Sequence, residues 1–202
     1  MSHSDHPFGK IPKADLPTQY GMFTIFGFQN PINGEEAVAV VVGAPEADAV
    51  ALVRLHSQCL TGDVLASTRC DCGEQLRTAM RLLAKAPWGL LIYQLQEGRG
   101  IGLVNKLLTY ELQDQGVDTV DANRQLGFAD DQRDYSFCAR ILKHFHADRI
   151  RLLSNNPHKI ASLEAAGVQV VERVPLEVPP RPSSRHYLKT KKDKLGHLLS
   201  QV

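Results

Sequence analysis

Apolar positions along this chain follow a two-residue period in some stretches and a helical period in others. MFTIFGF (22–28) and AVAVVVG (37–43) are rich in β-branched and aromatic residues and read as strands. VRLHS (53–57) is a short third strand leading into a loop that carries three cysteines. From Gly73 to Lys85 the spacing turns helical, with Leu76, Met80 and Leu83 on one face. Trp88 to Gln94 reads as a buried strand, and Ile101 to Gln115 as a helix closed by Gly116. Asp130 or Asp131 can cap a further helix whose apolar stripe is Cys138, Ile141, Leu142 and Phe145. Arg149 to Leu153 is a strand; Asn156-Pro157 starts a helix that Gly167 stops; Gln169 to Arg173 is the next strand. PPRPS is read as a loop, and the basic stretch from Tyr187 to Leu199 as a terminal helix. Strands mixed with helices from end to end indicate an α/β (α+β) fold, a mixed β-sheet flanked by helices in a single compact domain. The polar residues 1–16 read as a flexible tail and 17–202 as the domain.

Composition narrows the classes. The chain has 202 residues, 43% of them hydrophobic and 22% charged, with a net charge of +1, so no bulk attraction to nucleic acid or membrane is indicated. No apolar run approaches the ~20 residues that span a bilayer. The polar, proline-containing N-terminus does not resemble a signal peptide. A reducing, cytoplasmic setting follows as the expectation, in which four cysteines are ligands or buried thiols rather than disulfides.

The chemistry concentrates in three places. Cys59, Cys70 and Cys72 lie in RLHSQCLTGDVLASTRCDCGEQL, a spacing in which a Cys-x-Cys turn and one more distant thiolate can hold zinc. Three protein ligands leave a fourth position for water, the arrangement of a metal-activated hydrolase. The competing reading is a closed structural site completed by His56 or a distant cysteine. Cys138 lies on an apolar helical stripe, the place of a buried thiol. His56 fits a hydrogen-bonded histidine at a strand end. Asp71 is either a turn former or an acceptor behind the ligands, and Arg54 and Arg69 flank the loop.

QEGRGIG, before a helix, offers backbone N–H groups to a phosphate but lacks the Gly-Lys-Ser/Thr ending of a Walker loop. In DDQRD, Asp131 suits a helix cap, while Arg133 in a first helical turn would oppose the helix dipole unless an anion offset it. Ser154 to Lys159 forms a strand-to-helix turn, a usual ligand position in α/β sheets. The H-x-E and P-C-x-x-C pair of zinc deaminases is absent.

Together with YELQDQGVDTVDAN, QLGFADDQRDYS and LLSNNPHKI, these blocks resemble GTP cyclohydrolase II from about Leu16 to the C-terminus, in its single-function form. The resemblance implies zinc-dependent hydrolysis of GTP with release of formate and pyrophosphate at the start of riboflavin synthesis. It implies one zinc ion per subunit on Cys59, Cys70 and Cys72, Mg²⁺ with the triphosphate, and a homodimer. It implies a GTP site of Arg54, Leu55, His56, Ser57, Gln58, Gln75, Glu97, Gly98, Arg99, Thr119, Ser154 and Lys159. Asp131 would be the proton acceptor, Arg133 the nucleophile towards the α-phosphate, and Tyr110 the group near the purine. A guanidinium with pKa above ~12 fits a phosphate clamp more simply than a nucleophile. The chain departs from the family in two positions: Gln58 stands where Glu is usual and Ser154 where Thr is usual. Alternative readings are a divergent GTP-binding paralogue with altered product or regulatory role, and a structural zinc module.

Overall fold

The computed structural model describes residues 7–46, 49–129 and 131–202. Seven strands form one mixed sheet in the order β1-β2-β3-β5-β4-β6-β7. They are β1 (Lys13–Thr18), β2 (Gly21–Gln29), β3 (Glu36–Gly43), β4 (Ala51–Ser57), β5 (Trp88–Gln94), β6 (Arg149–Leu153) and β7 (Gln169–Val174). The β1 to β3 strands and the β3–β5 pair are antiparallel. The β5, β4, β6 and β7 strands run parallel to one another. Parallel neighbours need crossovers, and helices supply them. These are α1 (Leu60–Asp63) and α2 (Cys72–Leu83), then α3 (Leu103–Asp114), α4 (Thr119–Gln125) and α5 (Ser136–His144), and α6 (Pro157–Ala165); α7 (Pro182–Leu195) follows the last strand and joins no pair.

The strand pattern fills a core on each face of the sheet, because successive side chains point to opposite sides. Ala39 and Val41 of β3 with Leu90 and Ile92 of β5 face one core, where α5 and α6 bury Phe137, Ile141, Leu142 and Leu163. Val40 and Leu91 face the other, against Ala79, Met80 and Leu83 of α2. Each such fully buried aliphatic or aromatic side chain contributes about 1.5–3 kcal/mol. Cys138 sits fully buried in the first core, as its stripe indicated.

Several expectations are corrected. Residues 13–16 are not tail: they belong to β1, which pairs with β2 from Lys13 opposite Phe26 to Thr18 opposite Gly21. Residues 1–6 lie outside the described residues. The helix expected from Asp130 or Asp131 begins at Ser136; Asp130 is outside the described residues, and the 131–135 segment is not helical. Asp134 instead receives the Ser136 N–H at 2.8 Å. The terminal helix starts earlier than Tyr187, at Pro182 inside the supposed loop, because proline suits a first helical position. It ends at Leu195, where Gly196 adopts φ 64°. The α4 helix was not foreseen; Asp118 caps it by accepting from Val120 N and Asp121 N.

The strands β4, β5 and β6 are parallel, so the loops that follow Ser57, Gln94 and Leu153 leave the same edge of the sheet. That edge is where ligands meet open α/β sheets.

Candidate active site

The three cysteines converge. The sulfurs of Cys59, Cys70 and Cys72 lie within 4.8 Å of one another, and Cys59 Sγ is 3.7 Å from Cys70 Sγ. Two glycines permit it. A Cβ on Gly62 of α1 would stand 3.1 Å from Cys70 Sγ and 3.2 Å from Cys59 Sγ. A Cβ on Gly73 of α2 would stand 2.0 Å from the Gly62 carbonyl oxygen, so Gly73 must lack a side chain for the turns to meet, and Gly62 leaves little room for one.

The three thiols are hydrogen-bonded to one another. Hydrogen bonds from Cys70 and Cys72 push Cys59 far below the usual thiol range, with help from Lys106 and against burial. Donating to Cys59 holds Cys70 up at about 11 and Cys72 well above the ordinary value. Ionising all three sulfurs this close together takes a cation among them, and a soft sulfur donor set suits zinc rather than magnesium or calcium. His56 does not join the cluster; its Nε2 lies 3.1 Å from the Asp63 carboxylate.

Around the sulfurs lies a network in which Lys106, Thr61, Asp63 and Tyr93 join the expected Glu97 and Tyr110 without having carried a sequence signal. Lys106 Nζ of α3 donates to Cys59 Sγ at 3.1 Å, to Glu97 Oε1 at 2.7 Å and to Thr61 Oγ1 at 3.1 Å. Glu97 also accepts from Leu60 N at 2.7 Å and Gly98 N at 2.9 Å, so its carboxylate ties the 97–100 turn to the metal loop. The turn keeps that geometry with Gly98 and Arg99 both in the left-handed region. Tyr110 OH is 3.2 Å from Thr61 Oγ1; burial raises its pKa, so the phenol is protonated at neutral pH. Asp63 gathers Cys59 N and Tyr93 OH as well as His56.

Asp71, between two of the cysteines, is buried. It accepts from Gln75 Nε2 and, at 2.8 Å, from Lys191 Nζ of α7. The opposite oxygen of the Gln75 amide accepts from Arg54 Nη2 at 2.7 Å.

The facing wall is cationic. Arg54 Nη1 donates to the Leu153 carbonyl at 2.9 Å, and Lys159 Nζ to the Leu55 carbonyl at 2.7 Å. Burial lowers Arg54 to about 10, and it lowers Lys159 well below the usual amine range, an effect that Arg54 and Arg133 reinforce. Arg133 is different. Burial opposes its charge, but Tyr135 and the Asp131 carboxylate outweigh that and hold it protonated. Arg133 Nε donates to Asp131 Oδ1 at 2.8 Å. Burial would raise Asp131, but its bonds from Arg133 lower it, so the pair is ionic.

One pocket gathers most of the expected residues: Arg54, His56, Ser57, Gln58 and Gln75, the 97–99 turn, Thr119, Ser154 and Lys159, the three cysteines, Tyr110 and Arg133. Leu55 is not on its wall; that side chain belongs to the core, and its carbonyl holds Lys159. Asp131 backs Arg133 from an adjoining depression shared with Asn156 and His197. The Arg133 argument from a helix N-terminus falls away with the helix, whereas its place on the cationic wall stands. Tyr187, Lys191 and His197 also line the pocket and carried no sequence signal beyond a basic stretch.

A family model described as GTP cyclohydrolase II matches residues 10–175, ending before α7. A GTP cyclohydrolase-2 of Hahella chejuensis is 54% identical over 190 residues, covering 94% of this chain and 92% of that protein. One from Buchnera aphidicola subsp. Acyrthosiphon pisum is 52% identical over 191 residues, covering 95% and 98%. A riboflavin biosynthesis protein of Vibrio vulnificus is 51% identical over 191 residues, and there the chain spans 52% of the relative's length.

Proposed function

The chain belongs to the GTP cyclohydrolase II family, and on that premise we propose that it hydrolyses GTP, opening the imidazole ring with release of formate and pyrophosphate at the first step of riboflavin synthesis. The observation that carries this reading is the meeting of a three-cysteine cluster and a buried cationic wall in one pocket. The cluster suits a Lewis acid, and the wall suits a triphosphate.

Cys59, Cys70 and Cys72 would hold zinc. When bound, zinc supplies Lewis acidity, which polarises the carbon under attack and makes water nucleophilic near neutral pH. Lys106 keeps Cys59 in place and shares its negative charge, while Glu97 holds both that ammonium and the Leu60 amide. Tyr110, protonated and beside Thr61, is suited to donate a hydrogen bond to the purine ring as it opens.

Arg54, Arg133 and Lys159 are the phosphate side. Crowding three basic side chains in a buried wall disfavours their charged forms, and an anion offsets that. Arg133 acts as a clamp on the α-phosphate rather than as a nucleophile: its guanidinium is held protonated and its fork is oriented by Asp131. Asp131 orients that fork from behind and, in this reading, accepts no proton from substrate. Ser154 keeps the hydroxyl of the family's usual Thr. Mg²⁺ accompanies the triphosphate as part of the substrate, and a cytoplasmic homodimer is its setting; light scattering on the purified protein tests the dimer.

The test is incubation of purified protein with GTP, Mg²⁺ and Zn²⁺, with formate and pyrophosphate assayed together. Equal release of both supports the proposal. GTP recovered intact from the bound complex would overturn it in favour of a binding paralogue, and formate without pyrophosphate would revise the product.

A further inference from the structure

The C-terminal helix lies beyond the residues matched by the family model, yet three of its contacts reach the short segment that carries Cys70 and Cys72. Arg181, at the start of α7, is paired with Glu74. Ser183 Oγ donates to the Thr68 carbonyl at 2.9 Å. Lys191 Nζ, two turns further on, reaches Asp71 Oδ1 at 2.8 Å. The first two contacts are exposed, but the third is buried, with Lys191 12% and Asp71 3% exposed. Thr68, Asp71 and Glu74 bracket the Cys-x-Cys turn from before, within and after.

We infer that α7 is a strap on the metal loop, and that Lys191 is a positioning residue which sets the Cys70-Asp71-Cys72 turn in its metal-binding geometry. The physical reason is charge. Asp71 stands between two thiol ligands, so its carboxylate adds to a site already crowded with negative groups. Lys191 neutralises it and fixes where it sits. Gln75 holds the same carboxylate and is itself held by Arg54, so the turn is fixed from α7 on one side and from β4 on the other. Without Lys191 the carboxylate is left buried and uncompensated, and it leaves its place, which moves the backbone between the two cysteines. Coupling of this kind is reciprocal: if α7 favours the metal-bound loop, metal favours the docked helix.

This inference rests on the cysteine cluster holding a metal, and the experiment separates the two. Full-length protein loaded with Zn²⁺ is titrated with a chromophoric chelator, comparing wild type with Lys191→Met, Lys191→Arg and Lys194→Met. Lys194 pairs with Asp118 and Asp121 on α4, from the same helix but away from the metal loop. The expected result is zinc affinity lowered about 10–100-fold in Lys191→Met, partly restored in Lys191→Arg, and unchanged in Lys194→Met. Equal affinity in Lys191→Met and wild type would overturn the inference, as would an equal loss in Lys194→Met. A second measurement covers a variant that fails to fold. Removing zinc from the wild type should raise amide hydrogen exchange in α7 and in the 67–75 segment but not in β1 to β3. Unchanged exchange in α7 would overturn it. A wild type that takes up no metal would sink the metal reading itself, and this inference with it.

Discussion

On the loop side of the pocket, three cysteine sulfurs and the carboxylates of Glu97 and Asp71 surround two ammonium groups, Lys106 and Lys191. On the strand-end side, Arg54 and Lys159 are hydrogen-bonded to neutral carbonyl and amide oxygens, and Arg133 alone is paired with a carboxylate. One side has an excess of acceptors and the other an excess of donors. Each imbalance is unfavourable in a buried pocket, and each is relieved by a different guest: a cation among the sulfurs, a polyanion along the wall. Substitutions on the two sides should therefore fail in different ways.

The largest separation is expected from Cys70→Ser. Zinc content measured by elemental analysis should fall to background and formate release below detection, while far-UV circular dichroism stays native because both cores lie elsewhere. Stoichiometric zinc with undiminished formate release would break the division at its root. On the opposite side, Arg133→Met should keep its zinc but lose about 10²–10³-fold in kcat, the usual effect of removing one charge-stabilising donor. A loss of metal in that variant would show that the two sides are not independent.

A finer cut is Lys106→Met. It removes a donor to Cys59 from outside the ligand set, so zinc affinity should drop about 10–100-fold by chelator competition. GTP affinity measured with saturating metal should hardly change. Weakened GTP binding at full metal occupancy would move Lys106 to the anion side of the comparison.

The smallest expected effect is a pH dependence on the cationic wall. Burial, with Arg54 and Arg133 nearby, places Lys159 well below the usual amine range in the free protein. A bound polyanion favours the protonated ammonium and so raises that value. Binding then takes up a proton between the free and bound values, and affinity declines as pH rises through that window. Calorimetry in buffers of different ionisation enthalpy should register this uptake, and Lys159→Met should abolish it. Proton release on binding would contradict the assignment.

Much of this molecule is legible in its sequence. Periodicity located β2 to β6 and α2, and the Asn156-Pro157 pair marked the start of α6, where Asn156 does accept from His158 N at 2.9 Å. These are short-range signals. KADLPT, by contrast, has a strand conformation without a strand pattern, because its order comes from backbone pairing with β2. The cap expected at Asp131 has no helix behind it: the chain turns helical only at Ser136, and the Asp131 carboxylate accepts from Arg133 N and Arg133 Nε instead.

By itself the sequence determined that three thiols could meet around a metal, because ligand chemistry depends on residue type and the spacing of a single loop. It also determined the alternation that builds both faces of the sheet. Tertiary structure decided which charges serve that loop. A lysine on a helix looks the same whether solvated or buried, and Lys106 and Lys191 acquire their roles by reaching partners far away in the chain, Cys59 and Asp71. The energy of a buried ion pair depends on the distance and burial that folding imposes, and no local pattern encodes either.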